Sequence, residues 1–317
     1  MPRFSVIIPC HNAAAYIGEA LRSVAAQEVA PHEVIVINDA STDDSAAAVR
    51  RSGVDVRLID LSVRNAAAAR HAGIEVATGD WIAFLDADDI WYPNHLANAA
   101  EVLGNSSDVG YMGNHVFLRA DGSIESIPPS LRPKIDETRS GLSHLFFAEL
   151  MVRGFHFGHS TEIIRRDRYM EVGGFDFTQK RRHDMDLWLR VICGRTWAWD
   201  ARPQAQYRID TPGSISKSII NAEYYFLRAL TKNRDGFAGE AMDSLIATAA
   251  RRSVSLAFAD GTEEDYRAAR ELAGPFLSRK LQAAYRIADF APGLVRAAIR
   301  IKRRVYWTLK RRLKGID

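Results

Sequence analysis

Short β-rich apolar runs alternate with amphipathic segments along the first hundred residues. Phe4-Ser5-Val6-Ile7-Ile8, halted by Pro9, predicts a buried strand, and a helix is expected to open at Asn12, because Ile17, Ala20, Leu21 and Val24 fall on one helical face. Val34-Ile35-Val36-Ile37 predicts a second strand that ends in the polar run Asn38 to Asp43. Val54 to Ile59 predicts a third, followed by an alanine-rich helix that carries Arg70 and closes near Gly79. The fourth run, Trp81 to Leu85, is too short for a buried helix and delivers Asp86, Asp88 and Asp89 into the loop behind it. Such alternation predicts an α/β fold: a mostly parallel sheet with right-handed crossovers and helices on both faces. The loops after the first, second and fourth strands then gather along one edge.

The pattern shifts after about Gly104. Met112 to Leu118 and Ile124 to Ile127 flank Asp121-Gly122 and predict a hairpin, and the proline-bearing stretch Pro128 to Pro133 reads as a surface loop in the position of a lid. Leu142 to Val152 has helical spacing, Thr161 to Ile164 predicts a strand, and Gly173-Gly174 marks a turn. His183 to Leu189 opens a helix whose first turn holds Asp184 and Asp186, with Asp184 expected to face outward from the core. From Asn221 the chain is helical and alanine-rich. We therefore expect a catalytic domain over 1–220, with halves 1–104 and 105–220, and a helical region over 221–317.

Composition narrows the class. With 317 residues and 47% hydrophobic content the chain has ample length for a core and is not disordered. A formal charge of +3 does not imply nucleic acid, but its distribution is uneven. Basic residues recur from Arg279 to Lys314 against the single acid Asp289, interleaved with Leu294, Val295, Ile299, Tyr306, Trp307 and Leu309. That basic amphipathic tail, 279–317, suits an anionic membrane surface; a helix packed on the protein or an oligomer contact would use the same pattern. Cys10 and Cys193 lack metal-ligand spacing and indicate a reducing compartment. Neither a signal peptide nor a spanning helix is indicated, so a cytoplasmic location is expected.

The acids after the fourth strand carry the candidate chemistry. Ligands of open α/β sheets bind beyond the carboxyl ends of the strands, and Mg²⁺ needs few protein carboxylates when substrate phosphates complete its shell. The competing reading is that these acids cap the helix opened by Pro93.

At this point the chain resembles glycosyltransferase family 2, the inverting nucleotide-sugar transferases of the GT-A fold. The resemblance covers roughly residues 4–216. It rests on Val6-Ile7-Ile8-Pro9-Cys10-His11-Asn12, Ile37 to Asp43, Ala69-Arg70 before Gly73-Ile74, and Asp86-Ala87-Asp88-Asp89. Further on come Gly173-Gly174-Phe175-Asp176, His183 to Arg190, Tyr207-Arg208, and Gly213-Ser214 with Ser216. Phe84 to Trp91 is similar to bacterial members that build surface polysaccharides. The resemblance implies a GT-A (Rossmann-like) catalytic domain, a nucleotide-sugar donor of the UDP class, a saccharide or lipid-linked glycan acceptor, and Mg²⁺ or Mn²⁺ as cofactor.

It also implies roles. Pro9 and Asn12 would line the base and ribose, and Asp39 would accept from the uracil ring, unless it caps the next helix as Ser41 or Asp43 could. Arg70 would face the diphosphate, Asp86 and Ala87 would border the ribose and metal, and Asp88 would be the main metal ligand. Asp184 would take the proton of the attacking acceptor hydroxyl, with helix capping as its structural alternative. His156, His159, His183 and Trp188 are acceptor-side candidates.

The sequence departs from the family pattern at several points. His183 stands in place of an acid, Asn38 in place of another, and Ala40 in place of a glycine. Val63, Asn65 and His71 alter the approach to Arg70, and Arg208-Ile209-Asp210 lacks a histidine often found there. Two other classes compete. A non-catalytic sugar-nucleotide or membrane-surface binding protein would tolerate these changes. A sugar nucleotidyltransferase would need a glycine-rich basic loop, which Pro9 to Ala15 does not provide.

Overall fold

The computed structural model describes residues 1–104, 106–127, 135–152, 158–209 and 219–290. Ten strands form one sheet: β1 (Phe4–Cys10), β2 (Glu33–Asp39), β3 (Arg57–Leu61), β4 (Trp81–Phe84), β5 (Ile90–Trp91), β6 (Gly110–Leu118), β7 (Ile124–Ser126), β8 (Arg139–Ser143), β9 (Glu162–Arg165) and β10 (Thr196–Arg208). Their order is β3-β2-β1-β4-β9-β6-β10-β5, with β7 on β6 and β8 on β10. β1 to β4 run parallel; β9 then pairs antiparallel with β4 and β6, so the sheet is parallel in its first half and mixed in its second.

The helices of this region are α1 (Ile17–Ala25), α2 (Ser45–Arg51), α3 (Ala66–Val76), α4 (His95–Leu103), α5 (His144–Val152), α6 (Arg166–Glu171) and α7 (His183–Ile192). Alternation along β1 sends Phe4, Val6, Ile8 and Cys10 to the side covered by α1, where Ile17, Ala20, Leu21 and Val24 meet them. Ile7 points the other way, toward α3. There Gly73 lets the helix approach, because a Cβ at that position would lie 2.8 Å from Ile7 Cγ2. Helices therefore cover both faces, and the loops after β1, β2 and β4 share one edge.

Several boundaries differ from the periodicity. Pro9 does not halt β1: it pairs with Ile37, and the strand continues to Cys10. Asn12 opens no helix; its φ of 50° is left-handed, and α1 starts five residues later at Ile17. β10, the longest strand, has no counterpart in the sequence reading. Pro203 lies within it, and register shifts from Asp200 to Ala205 interrupt its alternation. The hairpin at Asp121-Gly122 forms as expected. Pro128 to Pro133, His156, Gly213, Ser214, Ser216 and the tail beyond Phe290 lie outside the described residues.

Contacts divide the chain into two compact units, one of residues 1–214 with 233–242 and one of residues 215–232 with 243–317. In the second, α8 (Ile219–Lys232), α9 (Glu240–Asp260), α10 (Glu263–Ala273) and α11 (Arg279–Phe290) bury Leu227, Leu230, Ile246, Val254 and Phe258. Thr262 and Asp265 cap α10 reciprocally.

Candidate active site

The loop after β1 is latched to the loop after β2. Asn12 Oδ1 accepts from Thr42 N at 2.8 Å, its own N–H donates to Ser41 Oγ at 3.1 Å, and His11 Nδ1 lies 2.6 Å from the Asp39 carbonyl. Asp43, not Asp39, meets the start of α2: it accepts from Ser45 N at 3.0 Å and from Ala14 N at 3.0 Å, while the N-cap residue Asp44 makes no side-chain cap bond. Asp39 is thereby freed from capping, but it is not idle. Its buried carboxylate accepts from the backbone N–H groups of Val63 (2.8 Å), Arg64 (2.9 Å) and Asn65 (2.7 Å). Asn65 in turn caps α3 by accepting from Ala67 N and Ala68 N. Asp39 thus shapes the loop that leads to Arg70.

Arg70 is buried, which excludes the solvated-helix reading. Its Nη2 donates to Asp86 Oδ1, its Nη1 lies 3.3 Å from His183 Nε2, and its Nε has no partner among the described residues. Burial opposes ionisation of Asp86, but Arg70, with His159, holds its carboxyl below the usual carboxylate range. A guanidinium donates only, so His183 Nε2 is an acceptor and the ring is neutral. Burial agrees, pushing His183 down to about 3 against a weaker upward pull from Asp184.

Asp184 follows at the start of α7 and is half-buried rather than turned outward. Burial raises its pKa, yet His159, Arg182 and the Met185 N–H outweigh it and hold the group at about 2. Asp184 is ionised throughout the neutral range. Asp86 and Asp184, distant in sequence, share His159 and His183 as electrostatic neighbours.

Asp88 is half-buried and Ala87 buried; Asp89 turns inward, 1% exposed. Ser160 Oγ donates to Asp89 Oδ2 and Arg208 N to Oδ1 at 2.8 Å, while Arg208 Nε donates to the Asp88 carbonyl at 2.9 Å. Burial, reinforced by Asp86 and Asp88, raises Asp89 well above the carboxylate range. Arg208 also reaches Glu19 at 2.7 Å and lies over the Tyr16 ring at 5.0 Å, so β10 braces the acidic loop from the far half of the sheet. Among the described residues no group of three or more His, Cys, Asp or Glu could hold a metal ion. A site with fewer protein ligands than that could hold a cation only where phosphate oxygens complete its shell.

The profile of Glycosyl transferase family 2 matches residues 5–171, more than half of the chain. The chain belongs to this family. It is 27% identical over 240 residues to an uncharacterised glycosyltransferase of Rickettsia prowazekii, covering 73% of each chain. To the amylovoran biosynthesis glycosyltransferase AmsB of Erwinia amylovora it is 30% identical over 219 residues, 66% of this chain and 70% of that one. The crystal structure of S. aureus TarS 1-349 in complex with UDP-GlcNAc superposes with a TM-score of 0.67 at 19% identity, covering 86% of this chain and 80% of that one. The mannosyltransferase PcManGT of Pyrobaculum calidifontis in complex with GDP-Man and Mn²⁺ gives a TM-score of 0.54 at 19% identity, covering 94% and 86%. These likenesses establish the GT-A fold. The protein is a glycosyltransferase that acts on a nucleotide-sugar donor.

Within this family framework, not every candidate reaches the site. Trp188 is a correction: it is wholly buried, stacks on Phe147 at 6.4 Å, and would meet any Cβ placed at Gly110 at 2.7 Å. A ring so enclosed is core, not an acceptor surface, because it lies on the inner face of α7 between Leu187 and Leu189. Asp186 is also buried, held by Arg190 and Asn233. Pro9 is half-buried at the strand end and Asn12 is exposed beside it. His159 is buried against Glu162. Ser160, which ties Asp86 N–H and Asp89 together, escaped the sequence reading, since a lone serine before a short strand carries no periodic signal.

Proposed function

We propose that this glycosyltransferase moves a sugar from a UDP-sugar to a hydroxyl of a saccharide or lipid-linked glycan in cell-surface polysaccharide synthesis, with inversion. The observation that carries the proposal is the Arg70 bridge: one guanidinium nitrogen donates to Asp86, the acid behind β4, and another lies 3.3 Å from His183, the residue before Asp184. Asp86 belongs with the leaving group and Asp184 with the nucleophile. The acceptor oxygen attacks the anomeric carbon, the bond from that carbon to the diphosphate oxygen breaks, and the hydroxyl proton passes to the ionised Asp184 carboxylate. No covalent enzyme intermediate is needed. Asp88, with Asp86, would hold Mg²⁺ or Mn²⁺; when bound, the cation offsets charge developing on the departing nucleoside diphosphate. The AmsB relative supports the polysaccharide assignment, TarS with UDP-GlcNAc the donor class, and PcManGT with Mn²⁺ the cofactor.

Arg70 acts in this scheme by fixing Asp86 and His183, and its remaining N–H groups would serve a diphosphate oxygen. Asp39 acts by holding the 63–65 loop, and its carboxylate retains acceptor capacity for the uracil N–H beside the Pro9 and Asn12 loop. We assign the catalytic domain to 1–220 and peripheral attachment at a cytoplasmic membrane face to 279–317. The exposed Arg279, Lys280 and Arg286 of α11 support that attachment, and no described helix is long and apolar enough to cross a membrane.

The decisive variant is Asp184→Asn. We expect it to retain UDP binding by calorimetry while release of UDP from a panel of UDP-sugars falls at least about a hundredfold. Undiminished turnover would remove Asp184 from the role of base.

A further inference from the structure

Beside Asp184 lies a buried pair that the proposed reaction does not use. His159 sits on a single 3-10 turn, His159–Thr161, and Glu162 is the first residue of β9. His159 Nδ1 and Glu162 Oε2 are 2.7 Å apart; the histidine side chain is 8% exposed and the glutamate 0%. Among the described residues neither Glu162 oxygen and neither His159 ring nitrogen makes an aligned hydrogen bond, so the 2.7 Å approach is an ion-pair contact. A carboxylate in such a place requires a countercharge, and an imidazolium at His159 supplies it.

The pair is not remote from the chemistry. The His159 ring meets the His183 ring at 5.7 Å with the planes 29° apart, and meets Phe84 at 5.7 Å. His183 is the residue before Asp184, and its neutral ring stands where the family carries an acid. Among the described residues, the charged and titratable groups that act on the pair or on Asp184 include Arg70 of α3, Asp86 after β4, Arg182 and His183 at the start of α7, and Tyr207 of β10.

We propose that the His159–Glu162 pair is a positioning element for Asp184: a buried imidazolium, fixed by Glu162 and stacked on His183, that keeps the Asp184 carboxylate ionised and oriented for the acceptor hydroxyl. The proposal rests on the reading of Asp184 as the base. His159 therefore acts through Asp184 and its neighbour and is not an acceptor contact. The electrostatics agree in direction. Burial opposes a charged His159, but Glu162 outweighs it and raises the imidazole above its ordinary value. His159 is in turn the largest influence that opposes burial at Asp184.

Removing both charges together, in H159Q/E162Q, leaves no orphan ion in the interior. Without the cation, burial prevails at Asp184, its pKa rises, and the acidic limb of the rate profile moves up. Relative to the unmodified protein, the ratio of kcat/KM at about pH 4 to that at about pH 8 is expected to fall at least about twofold in the double variant, since one lost opposite charge raises a carboxylate pKa by about 1–3. E162Q alone shifts the ratio the same way, since His159 then loses its countercharge. A loss of stability with an unchanged ratio overturns the proposal.

A second measurement needs no variant. Side-chain nitrogen NMR of the full-length protein at about pH 7.5 should show His159 as an imidazolium, and a neutral ring there overturns the proposal even if the variants do not fold. Failure of the underlying reading is distinguishable: it appears as retained turnover in D184N, independently of the His159 charge.

Discussion

Arg70 Nη2 donates to Asp86 Oδ1 with the arginine side chain only 5% exposed, so the cation expected to face a diphosphate is bound first to an acid of the loop behind β4. Breaking a buried pair from one side leaves the other charge uncompensated. Arg70→Ala should cost about 3–5 kcal/mol of stability by urea denaturation and abolish turnover. Arg70→Lys should restore part of the stability but little activity, because an ammonium cannot serve Asp86, His183 and a phosphate with the geometry of a guanidinium.

Asp39 is anchored to three backbone N–H groups of the loop at 63–65. Asp39→Ala should cost about 2–3 kcal/mol and weaken UDP binding, since both the loop and the approach to α3 relax. Asp39→Asn keeps one oxygen acceptor and should fall between. Denaturation midpoints and UDP titration of the same samples separate the two effects.

Acid should weaken the fold before the carboxylates titrate. His183 is held at about 3 and His95, buried near Gln204 Oε1 at 3.4 Å, at about 4, both well below the ordinary value of about 6.5. A lowered histidine pKa means the folded state favours the neutral ring. Its contribution is present above about pH 6.5 and is lost as pH falls toward the folded values. Tm should therefore decline on acidification from about pH 7 to about pH 4.5, and His95→Gln should flatten that decline.

The proposed role of Asp88 and Asp86 as metal ligands leads to a particular metal dependence. With Asp88 and one oxygen of Asp86 as its protein ligands, a cation should bind weakly alone and tightly with nucleotide. Calorimetry should show Mn²⁺ affinity rising at least about tenfold when UDP is present. Chelation should abolish turnover, Mn²⁺ or Mg²⁺ should restore it, and Asp88→Asn should lose that rescue.

Much of the first half was legible because its runs are short and its periods clean. Val34 to Ile37 and Trp81 to Leu85 are continuous apolar stretches that only a buried strand accommodates, and Ile17 to Val24 keeps a helical stripe. The edge that gathers Asp39, Asp86 and Arg70 followed from parallel connectivity. β10 was not legible, since Pro203 and the shifts around it break the alternation on which strand reading depends. Trp188 was misplaced for a related reason: a helical position next to candidate acids does not say which way its face turns.

The acidic loop shows the division most clearly. The sequence by itself determined that Asp86, Asp88 and Asp89 follow a buried strand and that Asp184 opens a helix, because hydrophobic period and local composition fix element type. Tertiary structure alone decided what surrounds each acid. Asp89 is turned inward to Ser160 and Arg208, Asp86 is taken by Arg70, and Asp184 is held ionised beside His159. The physical reason is that the charge state of a carboxylate depends on burial and on neighbours brought from distant segments, and no local pattern records which segments those will be.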